Sequence, residues 1–285
     1  MLALICGLIA ACAWAVHDLL VRKIGQNTAA LPMMLVVLAA GTVGLIGPAL
    51  VWGEWGAMSG PALNTAVGAG FAYVLGMGGL YRALSIAPVR VVAPILGAFP
   101  MITLGFAALA GKAVSGTELG AVVAIVAGIA IVTLSARSDD VGSTPDWPGA
   151  AILWSLGGTV GFASTFWLAQ EAARLGGELP ATLMTRLVAL GLVCLLALAV
   201  RAPVTQTRGS VRILVLMGLV DVLAIGLVTA SASLPKPEYA AISSSLFGVL
   251  TILLAWRFLQ EKVAGVQWLG IVTVFGGIAV LSAQG

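Results

Sequence analysis

The sequence predicts an all-α integral membrane protein with ten transmembrane helices, built as two inverted five-helix repeats. Composition is the first reason. Of the 285 residues, 60% are hydrophobic and 9% are charged, with mean hydropathy +1.11, whereas a soluble domain carries about 25% charged residues. The second reason is that the apolar residues fall into ten runs, each near the ~20 residues that cross a ~30 Å hydrocarbon core. The third is an internal repeat. The last hydrophobic hairpin, Ala240–Ala283, reads apolar run, polar turn Gln260-Glu261-Lys262, Leu269-Gly270, then Gly277-Ile278-Ala279. A weaker copy at Val91–Leu134 keeps that order, with Lys112 in the turn, Leu119-Gly120 and Gly128-Ile129-Ala130.

The runs are Leu2–Val21, Leu31–Trp52, Asn64–Leu84, Val89–Ala110, Glu118–Ala136, Pro148–Gln170, Ala181–Val200, Ile213–Ala232, Tyr239–Leu259 and Val266–Ala283. The longest polar stretch, Arg137–Trp147, falls midway. It divides a first repeat (1–136) from a second (148–285), with 137–147 as connecting loop. Leu31-Pro32 opens the second run and Leu179-Pro180 the seventh, as a repeat requires. An odd number of helices per copy sends the second copy into the membrane in the opposite direction. The halves are then related by a pseudo-twofold axis in the membrane plane, and a solute site is expected near the midplane between them.

Several classes drop out. Cys6, Cys12 and Cys194 lie inside apolar runs without a CxxC pattern, so they read as small packing residues. A net charge of +3 spread along the loops supports no nucleic-acid partner. The first run lacks a preceding Lys or Arg and is followed by nine more, so it is expected to be a span and not a cleaved signal. No His-Glu-x-x-His or Gly-x-x-x-x-Gly-Lys-[Ser/Thr] pattern occurs, so neither zinc nor ATP hydrolysis is expected.

Ionisable side chains inside a span are costly and face a cavity or a partner. Asp221 sits near the middle of the eighth run. Arg186, nearer one end of the seventh, is long enough to reach it. Two readings stay open: a structural pair locking two helices, or a solute- or proton-handling site. His17 and Asp18 come late in the first run, on the membrane side where Arg82 ends the third and Arg90 begins the fourth. Asp18 is expected to pair with Arg82 or Arg90. That would leave His17 to set a pH dependence between about pH 5 and 8. The alternatives are interfacial snorkelling for the two arginines and a hydrogen-bonded packing role for His17.

The inverted counterparts of His17, Asp18 and Arg90 are Ser164, Thr165 and Glu238, so the halves offer different chemistry at matching points. Trp167, Glu171 and Tyr239 form the second half's cluster. Trp14 and Tyr73 lie deep in their runs and are cavity candidates, whereas Trp52, Trp55, Trp147 and Trp268 lie near run ends and read as interfacial belt.

These features together resemble the EamA-type branch of the drug/metabolite transporter superfamily. The residues that carry the resemblance are Leu259-Gln260-Glu261-Lys262, Trp268-Leu269-Gly270, Ala13-Trp14-Ala15 and Tyr81-Arg82-Ala83-Leu84. The chain departs from the family pattern at Ala110-Gly111-Lys112, where a Leu-Gly-Glu turn is usual. It departs again at Phe247-Gly248, in place of an acidic-then-proline step. The resemblance implies a secondary carrier with a central cavity, often exporting amino acids or other small metabolites.

The expectation is therefore a secondary active transporter in the inner (plasma) membrane, not an enzyme. It would move a small polar metabolite, an amino acid-like zwitterion or an organic ion, by alternating access. Proton coupling or exchange would drive it, with export favoured. Its partners would be the solute and the lipid bilayer, without cofactor or metal, and the chain would be a monomer or homodimer. A membrane-embedded enzyme and a passive channel or scaffold are the rival classes. Orientation is contested. Arg22, Lys23, Arg137, Arg201, Arg208, Arg212 and Lys262 flank odd-numbered connections, against Lys112, Arg174 and Lys236 on even-numbered ones. The positive-inside rule then puts both termini outside, whereas the resemblance implies both inside.

Overall fold

The computed structural model describes residues 2–109, 111, 113–139, 147–231, 234, 244 and 246–284, and among these the secondary structure is all-helical. The helices are α1 (Leu2–Gly25), α2 (Ala30–Trp52), α3 (Gly60–Ile86), α4 (Val89–Gly97), α5 (Phe99–Leu109) and α6 (Gly116–Asp139). They continue as α7 (Trp147–Gly176), α8 (Glu178–Ala199), α9 (Val211–Ala230), α10 (Phe247–Phe258) and α11 (Gly265–Gln284). Short 3-10 turns at Trp55–Ala57 and Val204–Ser210 precede α3 and α9. Among the described residues six helices are long and apolar enough to cross a membrane: α1, α2, α3, α7, α8 and α9. Shorter apolar stretches lie in α6, α10 and α11.

The fourth run, expected as one span over Val89–Ala110, is instead two helices broken at Ala98. Pro100 explains the break: it has no N–H to give, and its ring would strike the carbonyl of residue 96 in a continuous helix. The chain turns there through Ala98 (ψ 7°), whose N–H bonds back to Ile95 O at 3.2 Å. Of the ninth run, 239–243 and 245 lie outside the described residues, and the helix seen begins at Phe247.

Local chemistry sets the other ends. Ser59 caps α3 by accepting from Ala62 N, with a proline in the first turn. Gly177, at φ +83°, turns α7 directly into α8 through a conformation that glycine adopts without steric cost. At α6, Ser115 Oγ accepts from Glu118 N while Ser115 N donates to Glu118 Oε2 at 2.6 Å, a reciprocal capping box. At α11 the same offset recurs: Ala264 N donates to Gln267 Oε1 at 3.0 Å.

Glycines carry the closest helix crossings, as in lipid, where no hydrophobic force draws helices together. A Cβ on Gly79 would meet Gly158 Cα at 2.5 Å, and one on Gly161 would meet Gly76 Cα at 2.6 Å, so α3 and α7 touch backbone to backbone. A Cβ on Gly128 would lie 2.7 Å from Gly270 O, and one on Gly277 would lie 2.9 Å from Ala121 O, which joins α6 to α11. Outward-facing side chains such as Leu50, Trp52, Leu153, Leu195 and Val272 are apolar and exposed, as a lipid-facing surface requires. The ionisable Arg186, Asp221, His17 and Asp18 are buried instead.

Candidate functional site

Asp221 is the hub of a site drawn from four helices. Its Oδ2 accepts from Tyr73 OH at 2.7 Å and from Arg186 Nη1 at 2.9 Å. Its Oδ1 accepts from Trp14 Nε1 at 3.3 Å. Trp14 comes from α1, Tyr73 from α3, Arg186 from α8 and Asp221 from α9, so residues far apart in the chain converge on one carboxylate. Arg186 is 1% exposed and Asp221 5%. At that burial the pair is weak evidence for stability, because desolvating two charges offsets most of their attraction. The arrangement does hold one carboxylate and one guanidinium in fixed positions away from lipid.

Aromatic rings wall the site. Trp14 lies 6.3 Å from Phe166 and 6.1 Å from Phe247, Tyr73 lies 6.5 Å from Phe162, and Phe99 lies 5.2 Å from Phe166. Phe99 opens α5 immediately after the Ala98 break, so the proline-imposed interruption brings that ring to Phe166. The surroundings of the cluster are thus apolar with a few placed polar groups, the usual make-up of a small-molecule site.

A second polar group extends from α1. His17 Nδ1 lies 3.0 Å from Asp18 Oδ1, and His17 Nε2 lies 3.0 Å from Tyr81 OH. With Asp18 ionised, Nδ1–H donates to the carboxylate and Nε2 accepts the Tyr81 hydroxyl. The expected pairing of Asp18 with Arg82 or Arg90 is therefore corrected: the ion pair seen for Asp18 is with His17. Helix geometry gives the reason for Arg82. Tyr81 is fully buried, and the next residue, turned about 100° around the helix, points outward and is exposed. Arg90 is buried at the start of α4.

Residues 149–283 match the EamA-like transporter family, part of the drug/metabolite transporter superfamily. The second half of the chain is thus similar to an EamA-like transporter unit. Among curated proteins none matches the chain. Of the 28 solved chains that match, one crystal structure aligns over 98% of this chain and 95% of its own, with TM-score 0.68 and 19% identity. At that identity the likeness shows a shared fold.

Against this EamA-like frame the expected site residues separate. Trp14, Tyr73, Arg186 and Asp221 come together, and His17 with Asp18 forms the adjoining pair. Trp167 does not join them: it is 40% exposed and packs edge-on against Phe106 at 6.1 Å. Glu171 pairs with Arg174 one turn on, at 2.7 Å on the exposed face of α7, away from the cluster. Tyr239 and Glu238 lie outside the described residues. Tyr81, Phe162, Phe166 and Phe247 are present at the site without having been singled out for it. Tyr81 carried a signal, the Tyr-Arg-Ala-Leu motif; the phenylalanines had none.

A separate clamp closes one end of the bundle. Arg22 Nε donates to Glu261 Oε1 at 2.9 Å and Nη1 to Leu84 O at 3.0 Å. Glu261 Oε2 accepts from Val89 N, the first residue of α4, at 2.8 Å. One carboxylate thus caps α4 and ties the turn before α11 to α1. Both side chains are mostly buried. Glu261→Ala is expected to cost ~1–3 kcal/mol, since Arg22 and the α4 N-terminus lose their acceptor. A melting temperature unchanged from wild type would contradict that.

Proposed function

We propose that the chain is a secondary active transporter with its solute site at the Trp14–Tyr73–Arg186–Asp221 cluster. In this reading ten spans in two inverted repeats, 1–136 and 148–285, surround the cluster. The observation that carries the reading is the convergence of one buried ion pair, two hydrogen-bond donors and an aromatic wall from helices of both halves. Pseudo-symmetry supports the inverted arrangement. Trp14 against Phe247 pairs α1 with α10, and Phe166 against Phe99 pairs α7 with α5, the contact expected when the halves are exchanged. The Gly128–Gly270 and Gly277–Ala121 crossings exchange likewise, and so do the caps at Ser115/Glu118 and Ala264/Gln267.

The solute is a small polar metabolite, an amino acid-like zwitterion or an organic ion, carried across the inner membrane by alternating access, with export favoured. The chain carries no phosphate-cradling loop, so a proton gradient or exchange supplies the energy. In this proposal the chain works in lipid as a monomer or homodimer, without nucleic acid or cofactor. Uptake into proteoliposomes tests the class. A carrier gives saturable uptake stimulated by counter-solute inside; linear uptake points to a channel, and chemical conversion of the solute to an enzyme.

His17 lies within hydrogen-bond distance of Asp18 and Tyr81. Transport by wild type is expected to vary between about pH 5 and 8, and His17→Gln to flatten that variation. An unchanged profile in the variant assigns His17 to packing.

Orientation follows the charge count, with both termini outside. A cysteine at Gly209, which is exposed with open space around it, reports on this in a cysteine-free background. Thr207, in the same turn, is 2% exposed and unsuitable. Labelling of the Gly209 position by an impermeant reagent in intact cells would reverse the assignment.

A further inference from the structure

We propose that the Nε/Nη2 edge of Arg186 is a carboxylate-binding subsite for a solute that is itself net neutral, with Thr42, on the α2 stretch that lies against Arg186, as its second polar group. How the solute arrives rests on the transporter reading above; the binding chemistry does not.

The guanidinium is used on one side only. Nη1 bonds Asp221 Oδ2 at 2.9 Å and approaches Tyr73 OH at 3.5 Å. Nε and Nη2, the two nitrogens whose N–H bonds run parallel, have no hydrogen-bond partner although both are buried. Thr42 Oγ1 is buried without a partner as well. Buried polar atoms are nearly always satisfied, so two unmet donors on one guanidinium edge call for a ligand. The parallel edge of a guanidinium matches the two oxygens of a carboxylate, and no lysine reproduces that fork.

The backbone beside the edge is bare. A Cβ on Gly41 would collide with Arg186 Nη2 and lie 2.6 Å from Gly218 O, so α2 lies against the guanidinium with no side chain between. Thr42 is the next residue along that stretch. In this conformation α2 closes the edge off, and the subsite opens as α2, in the first half, withdraws from α8 and α9 in the second.

Charge selects the kind of solute. Asp221 already neutralises Arg186, so a bare carboxylate would leave the buried site negative, which is costly away from water. A solute carrying its own positive centre keeps the site neutral. Asp221 Oδ1, which accepts from Trp14 Nε1 at 3.3 Å and not from Arg186, is the acceptor for that centre.

The test is thermal unfolding of the purified protein in detergent with leucine, methionine and phenylalanine, each alongside its amide and its desamino acid. The expected result is stabilisation by the zwitterions, little by the desamino acids and none by the amides. Arg186→Lys keeps the positive charge opposite Asp221 but loses the fork, and should weaken binding roughly tenfold or more. Thr42→Val removes a hydroxyl that bonds nothing in the unliganded protein. It should therefore leave the unliganded melting temperature unchanged or higher while shrinking the ligand-induced rise. Stabilisation by the amides equal to that by the zwitterions, an undiminished rise in both variants, or no rise with any carboxylate would each overturn the subsite. Stabilisation without counter-stimulated uptake in proteoliposomes would instead retire the transporter reading and leave the subsite standing.

Discussion

Asp221→Asn is expected to leave a folded protein that no longer transports. Asn keeps the shape, but its one carbonyl oxygen replaces only one of the two carboxylate oxygens, so it can accept from Trp14 or from Tyr73 and not from both, and it removes the charge opposite Arg186, which is 1% exposed. Stranding one member of a buried pair costs about 3–5 kcal/mol when the partner is deleted outright. The isosteric amide should lose less than that and stay monodisperse in detergent. The functional loss should be near complete, because the same carboxylate receives donors from α1, α3 and α8 and sets the charge of the site. Wild-type transport by the folded variant would remove Asp221 from the mechanism. Adding Arg186→Gln should recover stability without recovering transport, since removing both charges relieves the stranded one and leaves the site without either.

Gly79→Leu is expected to prevent assembly of the bundle. Even a Cβ there would sit 2.5 Å from Gly158 Cα and from Trp154 O, both backbone atoms that no rotamer change can move. Overpacking usually costs ~1–3 kcal/mol where side chains can yield, and here they cannot. Gly78, one residue back, has nothing within 4 Å of its Cβ position, so Gly78→Leu is the internal control and should be tolerated. Size-exclusion profiles of the two variants decide it. Equal monodispersity would mean that α3 and α7 do not meet through these glycines.

The helices could be read from sequence because lipid demands long apolar runs, and the helices seen follow nearly all of them. The interruption at Ala98 escaped because hydropathy averages across a break; Pro100 was its signal, and a fully apolar neighbourhood concealed it. Asp221 and Arg186 were readable because a charge inside a span must find a partner. The aromatic wall was not readable. Phe166 and Trp167 are adjacent in sequence, yet about 100° of helix rotation turns Phe166 toward Trp14 and Phe99 and leaves Trp167 against Phe106 at the surface. In an all-apolar run, nothing in the pattern says which of two neighbouring rings faces inward. Glu171 misled for a similar reason. It lies one turn beyond Trp167, and its local bond to Arg174 satisfies it on the outer face.

The most direct test of the account is a crystal structure grown in a lipid mesophase with a solute that shows counter-stimulated uptake in proteoliposomes. The account predicts solute density among Trp14, Tyr73, Arg186 and Asp221, with the aromatic wall of Phe162, Phe166 and Phe247 closing over it. Density elsewhere, such as along the outer face of α7 by Trp167 and Glu171, with the central cluster unchanged, would contradict it.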